Sequence, residues 1–189
     1  ADSLPFTNPR KPATIADFLV LNAFPSLTPD KQDCNLPDQF MARTILFICT
    51  GNVCRSPMAE GLFRCLIEEN AADLIVKSAG VGAQDGQAPS GNAIRAMQDL
   101  DIDISPQRSL MLTAELAAEA DMIIGMTHGH VEMVNLMFPH AADKAFLLRE
   151  FDNTLPLHER EISDPISGSY EVYCQCRDQI GEGIDSLLN

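Results

Sequence analysis

Residues 44–49 read Thr-Ile-Leu-Phe-Ile-Cys, an apolar, β-branched-rich run that Gly51 interrupts and Pro57 closely follows. A strand without polar alternation is buried on both faces, the condition of a parallel sheet covered by helices. Proline is tolerated in the first turn of a helix, so Pro57 predicts a helix over 57–70. Strand, tight turn and helix start therefore follow one another directly. The rest of the chain must pack around that unit.

From Arg43 onward, β-like runs alternate with helical ones. Residues 74–78 form a second strand that Ala79-Gly80 breaks. Ser90 caps a helix to about Leu100, with Ala93, Ile94, Met97 and Leu100 at helical spacing. Thr113 caps another through Ala120. Residues 121–126 and 144–148 are strands, 130–138 a helix, and the last helix starts near Ser169 or Tyr170. The alternation implies an α/β fold of three layers, a four-stranded parallel sheet with helices on both faces. Ligands of such sheets sit at the carboxyl ends of the strands, where the turn after Cys49 lies.

Residues 1–42 differ. Six prolines (Pro5, Pro9, Pro12, Pro25, Pro29, Pro37) disfavour long elements, although Thr14 can cap a short helix carrying Ile15, Phe18, Leu19 and Leu21. We divide the chain into an N-terminal extension, 1–42, and a domain, 43–189. Met41 looks like the start of a shorter form.

A phosphate dianion needs several converging donors, and a tight loop feeding a helix N-terminus supplies them from its own backbone. The loop Cys49-Thr50-Gly51-Asn52-Val53-Cys54-Arg55 fits, with Gly51 giving conformational freedom. Arg55, six positions after Cys49, can offer a planar fork to two phosphate oxygens. The same setting stabilises a thiolate, so Cys49 is the candidate nucleophile and Ser56 its hydrogen-bond partner. Expelling the leaving group also requires an acid. Spacing alone leaves Asp152, Glu161 and Asp164 open for that role. Cys49 and Cys54 bracket one small loop, so peroxide can join them as a disulfide.

Net charge is −14, from 27 acidic and 13 basic side chains, which repels nucleic acid and anionic lipid. No apolar run reaches the length of a membrane span, and residues 18–21, lacking a basic leader, do not make a signal peptide. The six cysteines are scattered as reduced thiols would be, predicting a cytoplasmic protein. Cys174 and Cys176, like His128 and His130, point to different helix faces, so neither a metal site nor a cofactor is expected.

The segment Cys49-Thr-Gly-Asn-Val-Cys-Arg-Ser-Pro-Met-Ala-Glu60 resembles the signature of the low-molecular-weight protein-tyrosine-phosphatase family. The likeness runs from about Arg43 to the C-terminus and includes Ser78-Ala79-Gly80 and Asp164-Pro165. It implies the phosphotyrosine protein phosphatase I fold, Cys49 as nucleophile, Arg55 as phosphate clamp and Asp164 as general acid. Thr50, Gly51, Asn52, Val53 and Cys54 would complete the phosphate site, with Asn52, Ser56 and Ser78 supporting the loop. A phosphorylated protein would be substrate and inorganic phosphate the product.

Departures from the family bear on specificity. Gln107 stands where many members place a histidine behind the loop. Gln84 (or Gly82), Ile166 and Ser167 stand where aromatic residues often wall the pocket. Thr50, with Met126-Thr127-His128 and the Asp164-Pro165 loop, resembles the protein-arginine-phosphatase branch, because a hydroxyl can hydrogen-bond a guanidinium. Thr50 and Ile166 are therefore the specificity positions, with phosphotyrosine and phosphoarginine both open. Two other readings compete. Thioredoxin-coupled arsenate reductases share the fold and a similar loop, but their further cysteines have no counterpart in residues 125–138. A non-catalytic phosphate-binding module would be expected to lose Cys49 or Asp164, and both are present.

Overall fold

The computed structural model describes residues 43–67 and 74–189. The extension, its expected helix after Thr14, and the expected helix end at 68–70 lie outside the described residues. The elements are β1 (Arg43–Cys49), α1 (Arg55–Ile67), β2 (Leu74–Gly80), α2 (Gly91–Gln98), α3 (Ala114–Glu119), β3 (Met122–Gly125), α4 (His128–Met137), β4 (Ala145–Leu147) and α5 (Tyr170–Leu188). Short 3₁₀ turns at Pro139–Lys144, Leu148–Phe151 and Leu157–Glu159 complete the connections.

All strand pairs are parallel, in the order β2-β1-β3-β4. Side chains alternate across the sheet, so β1 splits between two cores. Ile45, Phe47 and Cys49 face α1, α2 and α5, packing with Met58, Phe63, Met97 and Ile180. Leu46 and Ile48 face the opposite layer, with Ala117, Val134 and Phe138. A strand buried on both sides needs the unbroken apolar run seen in the sequence. The three-layer α/β architecture is therefore the one expected.

Boundaries differ from the sequence reading in informative ways. Helix α1 begins at Arg55, two residues before Pro57, placing the arginine in the first turn. Strand β2 continues through Ala79-Gly80, because Gly80 pairs with Cys49 across the ladder. A Cβ on Gly80 would lie 2.5 Å from the Thr50 carbonyl oxygen and 2.9 Å from Asn52 N. Glycine there does not break the strand; it lets the loop approach it. Helix α4 starts at His128 rather than His130, since Thr127 caps it reciprocally with His130. Ser90 and Thr113 cap their helices as expected, and the last helix starts at Tyr170, within the expected range.

Candidate active site

The loop between β1 and α1 lies at the carboxyl edge of the sheet. Its neighbour is the start of the β2–α2 connection: Val81 N donates to Cys49 O and Gly82 N to Thr50 O, both at 2.9 Å. Ser90 N donates to Val53 O at 2.8 Å. The backbone N–H groups of Gly51, Val53 and Cys54 make no hydrogen bond among the described residues. They remain available as donors for an anion, as the cradle requires.

The bent position is not Gly51. Asn52 has φ 53°, and among the described glycines the left-handed region is occupied by Gly86. Asparagine tolerates this backbone shape when its short side chain is locally bonded. Here it is fully used. Asn52 Nδ2 donates to Ser56 Oγ and to Ser78 Oγ, each at 2.9 Å, and Oδ1 accepts from Leu110 N at 2.8 Å.

These bonds fix the direction of their neighbours. Ser78 Oγ, accepting from Asn52, donates to Glu60 Oε2 at 2.5 Å. Glu60 is buried, which raises its pKa, while Ser78 and the Arg64 guanidinium at 2.7 Å oppose that shift. Ser56 Oγ, also accepting from Asn52, lies 3.0 Å from Cys49 Sγ and 3.3 Å from Ala79 O. Asn52 N donates to Cys49 Sγ at 3.3 Å. Cys49 is 2 % exposed, with Asn52 N and Ser56 Oγ against its sulfur on two sides.

Arg55 is almost wholly buried beside the loop. Nη1 donates to Ile162 O at 3.1 Å and Nη2 meets Asp164 Oδ2 at 2.5 Å. Its Nε is buried without a partner among the described residues. A buried guanidinium N–H left unmade is costly, and phosphate binding would satisfy it. The arginine also anchors the segment that carries the carboxylate, together with Ile162 N donating to Met126 O at 2.9 Å. Asp164 is 40 % exposed and turns back to accept from Ile166 N at 3.1 Å. Asp164 is thus next to the loop, whereas Asp152 bonds Thr154 and Glu161 caps His128 N.

The remaining sequence candidates separate. Cys54 Sγ contacts Tyr173 Oη at 3.3 Å and Ser90 Oγ at 3.4 Å, and burial raises its pKa. Tyr173 is in turn pushed up to about 12, mainly by burial. Thr50 is exposed at the mouth, and Ile166 is exposed on the Asp164 segment. Gln84 is exposed and bonds Gln87, so it supplies no apolar wall. Gln107 has no hydrogen bond to the Asn52 network; it lies by Gly61 and Arg64, and Leu110 N bonds Asn52 instead. Sequence reasoning gave no role to His130, Tyr173 or Leu110. Of these only His130 has a local signal, because it lies three residues after Thr127, a residue type suited to an N-cap. Among the described residues, no group of three or more His, Cys, Asp or Glu side chains is placed to hold a metal ion.

The strand–loop–helix geometry, with arginine in the first turn and a carboxylate opposite, can be compared with known proteins. The family model for low molecular weight phosphotyrosine protein phosphatase matches residues 44–189. The chain belongs to that family. It is 37% identical over 143 residues to the protein-arginine-phosphatase of Bacillus subtilis (strain 168), covering 76% of this chain and 93% of the relative. It is 32% identical over 148 residues to EpsP of Ralstonia nicotianae, named as a probable low molecular weight protein-tyrosine-phosphatase, covering 78% and 95%. Among solved structures it resembles a cysteine-to-serine mutant of the arginine phosphatase YwlE with a phosphorylated active-site serine. That match has a TM-score of 0.71 and 35% identity, covering 76% of this chain and 92% of the other.

Proposed function

We propose that this chain is a protein-arginine phosphatase that works through a phosphocysteine, with Cys49 as nucleophile, Arg55 as phosphate clamp and Asp164 as general acid. The observation that carries the substrate choice is Thr50: beside Cys49, at the exposed mouth of the cradle, stands a hydroxyl and not an apolar wall. The likeness to protein-arginine-phosphatases supports the same choice.

In the first step the Cys49 thiolate attacks phosphorus and the bond to the leaving nitrogen breaks. Protonated Asp164 gives its proton to that nitrogen, so arginine departs neutral at the reacting atom. The donors of the Gly51–Cys54 backbone and the Arg55 fork hold the phosphoryl oxygens as charge moves onto them. Phosphate binding beforehand draws the Arg55 guanidinium toward the phosphoryl oxygens and loosens its ion pair with Asp164, which lets the carboxyl hold the proton it delivers. In the second step water attacks the phosphocysteine and the Asp164 carboxylate takes the water's proton. The sulfur leaves as thiolate, stabilised by Ser56, and inorganic phosphate is released. Asn52, Ser56 and Ser78 hold the loop throughout.

The charge of −14 argues against nucleic acid or anionic membrane as partner. No helix among the described residues is long and apolar enough to cross a membrane. The scattered placement of the six cysteines supports a reducing, cytoplasmic setting. The test is kcat/KM measured side by side on phosphoarginine and phosphotyrosine peptides, with Cys49→Ser as the inactive control. A clear preference for phosphotyrosine would overturn the substrate choice.

A further inference from the structure

Beneath Thr50 lies a histidine that the chemistry above does not use. His130, in the first turn of α4, is 5 % exposed. Its Nδ1 accepts from Thr127 N at 3.1 Å and lies 2.9 Å from Thr127 Oγ1. Those contacts occupy Nδ1 as an acceptor, so the ring proton of the neutral imidazole sits on Nε2. Nε2 lies 3.1 Å from Thr50 Oγ1 and donates to it. Burial, then the nearby Arg55 guanidinium, lowers the His130 pKa to about 4, which keeps the ring neutral near pH 7.

We infer that His130 is a positioning residue for leaving-group choice, holding the Thr50 hydroxyl in one orientation at the cradle mouth. The inference rests on the phosphoarginine reading and deepens it. A threonine oxygen has two lone pairs and one proton. With one lone pair occupied by His130, exactly one acceptor and one donor remain to face the pocket. The Thr50 backbone is pinned as well, through its carbonyl bond from Gly82 N. A phosphoarginine presents a phosphoryl oxygen, an acceptor, beside guanidino N–H groups, which are donors. The oriented hydroxyl matches both at once. An aryl phosphate has no N–H next to its bridging oxygen, so it gains nothing from the remaining lone pair. Without His130 the threonine can rotate and turn its methyl group toward the pocket.

The experiment compares kcat/KM on phosphoarginine and on p-nitrophenyl phosphate for wild type, His130→Leu, His130→Gln, Thr50→Val and the Thr50→Val/His130→Leu pair. Thermal melts of each variant report whether α4 has kept its packing. His130→Leu should lower the phosphoarginine-to-aryl ratio by about tenfold, the scale of one hydrogen bond to a charged group. His130→Gln, which retains a donor amide, should restore much of that ratio. In the Thr50→Val background His130→Leu should shift the ratio by less than about twofold, because the coupling acts through the hydroxyl. An equal fall on both substrates, or the same fall in either background, would reduce His130 to a helix-capping role and overturn the inference. Wild-type protein inactive on phosphoarginine would overturn the substrate reading itself, and this inference with it. Normal wild-type preference without Thr50–His130 coupling would overturn this inference alone.

Discussion

Ser56 Oγ lies 3.0 Å from Cys49 Sγ, and its lone pair is already engaged by Asn52 Nδ2 at 2.9 Å. The hydroxyl's single proton has two acceptors within reach, Cys49 Sγ and Ala79 O at 3.3 Å, and a thiolate attracts it more strongly than a neutral carbonyl, so ionisation of Cys49 directs Ser56 at the sulfur. Such a bond stabilises the thiolate more than the thiol, and it matters most when the sulfur is expelled from phosphocysteine.

Ser56→Ala should therefore slow hydrolysis of the intermediate more than its formation. Losing one hydrogen bond to a charged group costs about 1.5–3 kcal/mol, or roughly tenfold to hundredfold in kcat. Rapid-quench kinetics with an aryl phosphate should show a burst of leaving group followed by a slow steady state. A variant with reduced kcat and no burst would place the role of Ser56 in the first step.

Asp164→Asn should slow turnover of substrates with poor leaving groups by about 10²–10⁴-fold, the usual contribution of general acid catalysis. An activated aryl phosphate, which departs without a proton, should suffer less. Asparagine also removes the anion paired to Arg55 while leaving a hydrogen-bond acceptor in place. Equal losses on the two substrates would move the acid to another group.

How far the sequence reveals this site depends on how local each interaction is. The cradle is nearly contiguous: Cys49, Arg55 and Ser56 lie within one strand–loop–helix unit, and periodicity and proline chemistry predict that unit directly. The two-sided core follows from the same apolar run, which has no polar face to turn to water. Asp164 could not be chosen by spacing, because Arg55 reaches it only after more than a hundred intervening residues have folded. The expectation for Gly51 failed because glycine permits a left-handed backbone without requiring it, while the asparagine beside it has three side-chain bonds to hold that shape. Gln107 failed differently. Position counting cannot reveal that a backbone N–H three residues on, Leu110 N, is what meets the Asn52 amide.

His130 predicts a pH dependence of stability. Its folded pKa, about 4, lies below the unfolded value near 6.5, so the unfolded chain binds more protons between those values. The contribution is fully present above about pH 6.5 and is lost as pH falls toward 4, by up to about 3 kcal/mol. Buried Glu60 acts in the opposite sense: its raised pKa makes the folded state gain from acidification above the usual carboxylate range. Comparing denaturant midpoints of wild type and His130→Gln from pH 7 to 4 isolates the histidine. The variant should lose less stability on acidification. Parallel curves would show that His130 does not contribute.

Thr50→Ile tests the substrate choice at the pocket mouth. The substitution removes the hydroxyl, adds an apolar wall, and leaves the buried Nε2–H of His130 facing a methyl group. Activity on phosphoarginine should fall by roughly tenfold to hundredfold, the cost of about 1.5–3 kcal/mol for a lost hydrogen bond to a charged group. Activity on phosphotyrosine should rise, since a ring gains an apolar contact. That rise is limited because Gln84 and Ile166 offer no aromatic face for the ring to stack on, so the change in preference comes mainly from the arginine side. Stability should drop as well, because an unpaired buried donor costs about 1–3 kcal/mol; a Tm measurement separates that loss from the catalytic one. The two effects have different signatures. Misfolding lowers both activities together, whereas loss of the guanidinium contact lowers one and spares or raises the other. A Thr50→Ile protein that keeps its phosphoarginine activity would remove the hydroxyl from substrate recognition.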